Sequence, residues 1–186
     1  MNDLLKQNQD MALAIELCQM GLRPGFVQEA IPSFKSQMLV GLYRKVQGKT
    51  PVKGNMPARD AKFLYSEHTT HRLCLHGSVL ACSMERLLEH HFDDALVLKY
   101  AYEDYLHQIA KGEALINCNR AWTMVRALRA KKLELVPCSY CQARYVDGYR
   151  MRRNSCPICY QLKKRRSDFL NRPTEARNAL FLPGKK

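Results

Sequence analysis

Four cysteines, arranged as Cys138-x2-Cys141-x14-Cys156-x2-Cys159, constrain this chain more than any other feature. A two-residue gap lets both sulfurs of a pair reach one point from a tight turn. Zinc takes four tetrahedral ligands and accepts thiolates well. The residues between the pairs are expected to form a short hairpin that returns the second pair to the first, with Pro157 suited to the turn and Tyr145 and Val146 as its small apolar cap. Four thiolates leave no position for water, so the spacing points to one structural Zn2+ per chain rather than a catalytic one. Two redox pairs, or an iron–sulfur cluster, are the competing readings of the same cysteines. Metal binding would contribute on the order of 10 kcal/mol to folding so small a module.

The other four cysteines, Cys18, Cys74, Cys82 and Cys118, stand alone in helical patterns and read as small buried hydrophobes. His68, His71, Cys74 and His76 suggest a second metal site, but the sequence specifies no partner from elsewhere. The N-terminus has no apolar stretch after a basic start, and no segment approaches the roughly 20 apolar residues that cross a bilayer. The expectation is a cytoplasmic protein with no membrane partner, where thiols stay reduced and paired cysteines favour metal.

Charge gives the second constraint. Thirty Lys+Arg against 17 Asp+Glu leave a net +13, a balance that usually meets a polyanion. The excess is local: residues 120–172 carry fourteen basic and three acidic side chains, whereas 61–119 carry five and eight. Arg150, Arg152 and Arg153 lie inside the cysteine loop, and Lys163, Lys164, Arg165 and Arg166 follow it. Such side chains neutralise phosphates and give affinity without sequence choice. Arg126, Arg129, Lys131 and Lys132 sit at a predicted helix end, where the helix dipole explains part of the run.

The predicted fold is mainly α: a helical domain over 1–136, a four-cysteine zinc-ribbon-like module with a basic extension over 137–172, and a poorly structured tail over 173–186. A first helix starts from Asn2 or Asp3 and ends at Gly21. A second covers Phe26 to Ile31, and a third, capped by Ser33, runs from about Phe34 to Gln47 and closes at Gly48. Residues 49–60 form a basic loop. Longer helices follow over Ala61–His91 (broken near Gly77), Ala95–Ala110 and Ala114–Leu133, stopped by Pro137. Leu87, Leu88, Leu96, Leu98, Tyr102, Leu106, Trp122, Val125 and Leu128 are the expected core. Glu67, Glu85, Glu103 and Asp104 read as solvated helix faces.

The segment 11–48 has the outline of a helix-turn-helix unit. On its third helix, Met38, Leu39, Leu42 and Val46 are expected inward, with Ser36, Gln37, Val40, Gly41 and Arg44 opposite. Gln and Arg read base edges bidentately, and a glycine admits close backbone approach. The candidate DNA-binding set is therefore Lys35, Ser36, Gln37, Arg44, Lys45, Lys49 and Lys53, together with the seven basic residues of the cysteine module.

These features come together in a resemblance. Leu13-Ala14-Ile15-Glu16-Leu17, Gly21, Leu42-Tyr43-Arg44-Lys45-Val46-Gln47-Gly48, Pro51-Val52-Lys53-Gly54, Met56-Pro57 and Arg120-Ala121-Trp122-Thr123-Met124-Val125-Arg126, joined to the four cysteines, resemble the FlhC family, the DNA-binding subunit of FlhDC-type activators. Segment 58–119 matches only loosely, and Gln142-Ala143-Arg144 stands where the family has a glycine-rich stretch. The resemblance implies one zinc per subunit and two such chains with four FlhD-like subunits. It also implies promoter DNA and RNA polymerase as partners, in control of flagellar or conjugative-transfer operons. A zinc-stabilised RNA-binding protein and a scaffold subunit that does not touch DNA are the alternatives. No Walker loop, G-x-G-x-x-G or HExxH occurs, so an enzyme is not expected.

Overall fold

The computed structural model describes residues 2–52, 61–64, 70–109, 112–148 and 155–170, with side chains except those of residues 2, 148 and 164–170. Seven α-helices and one two-stranded sheet make up the regular structure among these residues. They are α1 (Asn2–Gln19), α2 (Pro24–Ala30), α3 (Ser36–Gln47), α4 (His71–Glu89), α5 (Asp94–Ile109), α6 (Cys118–Arg129), β1 (Leu133–Pro137), β2 (Arg144–Gly148) and α7 (Pro157–Leu170), with a 3-10 turn at Lys62–Leu64. The mainly α expectation holds.

The first three helices follow their punctuation. Gly21 adopts a left-handed φ of 85° after α1, and Gly48 one of 65° after α3, both conformations that favour glycine. Pro24 opens α2 at a position where a missing N–H costs nothing. Ser33 does not cap α3. Lys35 occupies that place without a side-chain bond, and Ser33 Oγ instead donates to Asp10 Oδ2 at 3.1 Å. Side-chain amides pin the unit. Gln47 Nε2 donates to the carbonyls of Cys18 and Gln19 at 2.8 and 2.9 Å, holding the end of α3 against the end of α1.

One core runs through α1 to α6 and into the sheet. Leu17, Phe26, Leu39, Leu80, Leu98 and Trp122 share it with Leu133, Leu135 and Val146. Helix α4 packs against α5, α6, both strands and α7, so most elements lean on it. It does not break at Gly77. A Cβ there would lie 2.5 Å from Leu64 Cδ2, so the missing side chain leaves room for a leucine from the preceding turn. Leu98, Tyr102, Trp122 and Val125 are buried as expected, and Leu87, Leu88, Leu96 and Leu128 are half-buried. Leu106 departs from expectation and is exposed, because the buried face of α5 runs through Leu98, Ala101, Tyr102 and Tyr105 and leaves it on the other side.

Two further expectations change. The helix expected to reach Leu133 ends at Arg129, and residues 133–137 form β1, antiparallel to β2 with Leu135 opposite Val146. Burial alternates along β1 as a strand lying on a helical core requires. The hairpin also straddles the first cysteine pair instead of lying between the pairs. The basic extension forms α7 through Leu170.

Candidate metal centre and nucleic-acid face

The hairpin tip presents Cys138 and Cys141. The start of α7 presents Cys156 and Cys159. The four sulfurs all lie within 4.8 Å of one another. Sulfurs around one tetrahedral zinc, at about 2.3 Å each, stand about 3.8 Å apart, and Cys141 Sγ to Cys156 Sγ is 3.7 Å. Backbone amides already point at the cluster. Cys156 N donates to Cys138 Sγ at 3.2 Å, and Cys159 N donates to Cys156 Sγ at 3.4 Å. Pro157 puts the helix N-terminus, with its partial positive charge, under the second pair.

The crowded sulfurs differ in their hold on protons. Burial raises the Cys138 thiol, yet amide N–H groups from Cys156, Cys141 and Tyr140 outweigh it and bring the thiol down to about 6. The Cys141 sulfur beside it, with burial second, pushes Cys159 up to about 12. Four thiolates this close coexist only when a positive ion sits between them. Tyr145 is buried against Cys138 and Cys156, whereas Val146 points the other way into the main core.

The module is fastened to α4. Ser78 Oγ donates to Cys74 O at 2.8 Å and accepts from Val146 N at 3.0 Å. Arg144 grips the Glu85 carboxylate with both terminal nitrogens, Nη2 to Oε1 at 2.8 Å. Glu85 is therefore not a free surface acid. Nor is Asp104, which accepts from Ser83 and Gln108 and ties α5 to α4. The sequence held little sign of these clamps, since most of the partners lie far apart along the chain.

No second metal cluster forms among the described residues. His76 Nδ1 bonds to the Tyr105 hydroxyl at 2.7 Å and His71 stacks on Tyr160, while Cys74 is buried beside Ser78; His68 lies outside the described residues. Cys18 and Cys118 are buried and Cys82 half-buried, as expected of small apolar side chains.

The Arg-Ala-Trp-Thr stretch organises the helix-turn-helix unit. Trp122 Nε1 donates to Glu29 Oε2 at 3.0 Å, and Arg126 pairs with the same carboxylate. Asn119 accepts from Arg23 N at 2.9 Å and donates to Gly21 O at 3.0 Å, clasping the turn between α1 and α2. These residues, which sequence reasoning placed in the core or at a helix end, fix α2 and therefore α3.

Helix α3 buries Leu39 and Tyr43 and half-buries Leu42 and Val46. Met38, expected inward, is 40% exposed, because the buried face of α3 runs through Leu39 and Tyr43, one turn apart, and turns Met38 toward solvent. Val40 is exposed or half-exposed with its neighbours on the outer side rather than part of the core. The outward stripe is Gln37, Met38, Gly41, Arg44 and Lys45, with Lys35 and Ser36 exposed at the start and Lys49 just past the end. A Cβ at Gly41 would meet nothing within 4 Å.

Ion pairs sort the cations. Lys99, Arg126, Arg129 and Arg144 are held by Glu16, Glu29, Asp94 and Glu85. No ion pair among the described residues engages Lys35, Arg44, Lys45 or Lys49. Lys163 is exposed on α7 with Nζ 3.5 Å from the centre of the Tyr140 ring. Lys164, Arg165 and Arg166 continue along α7, their side chains outside the description. Lys53, Arg150, Arg152 and Arg153 lie outside the described residues. No described helix is long and apolar enough to cross a membrane.

Known proteins bear on this arrangement. The family described as "Flagellar transcriptional activator (FlhC)" matches over residues 1–167. The flagellar transcriptional regulator FlhC of Gallionella capsiferriformans is 28% identical over 163 residues, covering 84% of this chain and 86% of that protein. Its counterpart from Variovorax paradoxus is 30% identical over 147 residues, covering 77% and 69%. The Serratia marcescens protein of the same name is 27% identical over 168 residues, covering 84% and 80%.

Proposed function

The chain belongs to the FlhC family of transcriptional activators, not of enzymes, and from that membership we propose that it is the subunit through which a hetero-oligomeric activator grips promoter DNA. The observation that carries this reading is the separation of its cations. Arg126, Arg129 and Arg144 are neutralised by carboxylates, while the outward stripe of α3 keeps Arg44 and Lys45 clear of any ion pair among the described residues, beside Gln37 and the open Gly41.

In this reading α3 enters the major groove. Gln37 and Arg44 read base edges, and Lys35, Ser36, Lys45 and Lys49 hold phosphates. Gly41 gives the helix backbone room to sit deep in the groove. The Asn119 and Trp122–Glu29–Arg126 contacts keep α3 at a fixed angle to the rest of the chain, which converts free cations into a presented surface. Lys53, Arg150, Arg152, Arg153, Lys163, Lys164, Arg165 and Arg166 add phosphate contacts from the basic loop and the cysteine module. Zinc held by Cys138, Cys141, Cys156 and Cys159 would cross-link the hairpin tip to α7 and supplies no reaction chemistry.

An FlhD-like partner, four copies to two of this chain, provides the symmetry that addresses two half-sites, and RNA polymerase is recruited there. The target operons are flagellar or those of conjugative transfer. The test is binding to candidate promoters, with and without the co-expressed partner, over a range of salt. One discrete footprint that survives physiological salt is expected. Arg44→Ala should cost about 1–3 kcal/mol on the specific site and little on random DNA. Equal loss on both would remove the base-reading role, and preference for structured RNA or for no nucleic acid would favour the alternatives.

A further inference from the structure

Where α7 crosses the start of α4, the surface is apolar and open. His71, Leu75, Ile158 and Leu162 line a groove of about 310 Å3. Leu75 is 37% exposed, Ile158 52% and Leu162 59%, a cluster of bare large hydrophobics on a strongly charged chain. The stack of His71 on Tyr160, centroids 4.7 Å apart, holds the two helices at this junction.

The rim is cationic. Arg72 and Gln161 flank the floor, and no carboxylate lines the groove among the described residues. Lys163, Lys164, Arg165 and Arg166 follow along α7, against Asp168 alone. A second copy of the chain would bring the same cations against these. Residues 171–186 carry four basic side chains and one acidic, so charge also opposes the chain's own C-terminal segment as occupant. DNA answers the charge but leaves the leucine and isoleucine wet. A helix with an apolar stripe and acidic flanks satisfies both.

We propose that this groove docks an acidic amphipathic helix of a partner protein, with Leu75, Ile158 and Leu162 as its floor and Arg72 as the cation at its rim. The site is separate from α3 and stands independently of the DNA-binding reading.

The test uses the full-length, zinc-loaded chain and a fluorescent synthetic helix of about 18 residues, with leucines at helical spacing and glutamates elsewhere. Saturable binding by anisotropy is expected. Ile158→Glu and Leu162→Glu should each weaken it about tenfold or more while leaving the thermal melt in place, since both side chains are already exposed. Arg72→Glu should weaken it at low salt, and Arg44→Ala should leave it unchanged. A peptide of the same composition with its leucines scrambled should bind at least about tenfold less. Equal binding of the scrambled peptide, or wild-type affinity in both α7 variants, would overturn the proposal. So would self-association of the free chain that Leu162→Glu abolishes, which would give the groove to a second copy. Peptide binding that appears only after removal of residues 171–186 would give it to the chain's own C-terminus.

Discussion

Single residues hold this protein's sharpest constraints. Gln142 closes the turn that presents Cys138 and Cys141, with its N–H on Cys138 O, and it does so at a φ of 60°. A non-glycine residue in that conformation costs about 1–2 kcal/mol. Gln142→Gly should therefore stabilise the zinc-bound chain by about 1 kcal/mol, read as a higher midpoint in denaturant melts. The lone thiols make a different prediction. Burial pushes Cys18 up from 9.0 to about 11, and burial followed by the nearby Cys18 thiol pushes Cys118 up to about 12. The unfolded chain releases these protons near pH 9 while the folded chain keeps them. Stability from this source is complete below about pH 9 and declines as pH rises toward 11 to 12. A pH series of melts should show that alkaline decline, and Cys118→Ala should blunt it.

At the scale of elements, α3 and α6 work as a pair. Helix α6 spends its polar groups on clasping α2 and the Gly21 turn, which frees α3 to show its stripe to solvent. Gly41 separates the two roles of α3. Its neighbourhood is open and it lies inside a helix, so Gly41→Ala should raise stability by about 0.5–1 kcal/mol. In the DNA-binding reading the same methyl group obstructs the groove and lowers specific affinity severalfold. A melt and a binding titration on one variant distinguish these effects; unchanged DNA affinity would mean that α3 does not face the duplex closely there. The end of α3 was legible because Gly48 marks it locally; its start was not, because Ser33 gives its hydroxyl to Asp10 and Lys35 takes the cap position. The place of Met38 was not, because a helical wheel cannot distinguish Met38 from Tyr43 until α1 and α2 decide which side is inside.

Across the whole molecule, the hairpin that carries the first cysteine pair is continuous with the helical core. Leu133, Leu135 and Val146 lie in the same core as α1 to α6, and the Ser78 and Arg144–Glu85 contacts bind the sheet to α4. Helix α7 has no such anchorage among the described residues beyond the cysteines and its contact with α4. Removal of zinc with a strong chelator should therefore release α7 and the hairpin tip while α1 to α6 stay folded. Circular dichroism should lose a minority of its helical signal, and salt-resistant DNA binding should fall; complete unfolding on chelation would show that the core depends on the metal.

The sequence by itself determined whatever depends on local spacing. Cysteine separation picked out the four sulfurs that cluster, glycines and prolines marked the first three helices, and the excess of Lys and Arg fixed the net charge of +13. Tertiary structure decided which of those charges are available. Arg126, Arg129 and Arg144 only add to the positive excess along the chain, but Glu29, Asp94 and Glu85 reach them across 35 to 97 residues of sequence. A helical pattern expected to run to Leu133 hid the strand at 133–137, whose pairing with 144–148 and packing against α4 are decided by the folded chain. Local propensity is written in neighbouring residues; charge pairing and strand pairing join residues that only the folded chain brings together.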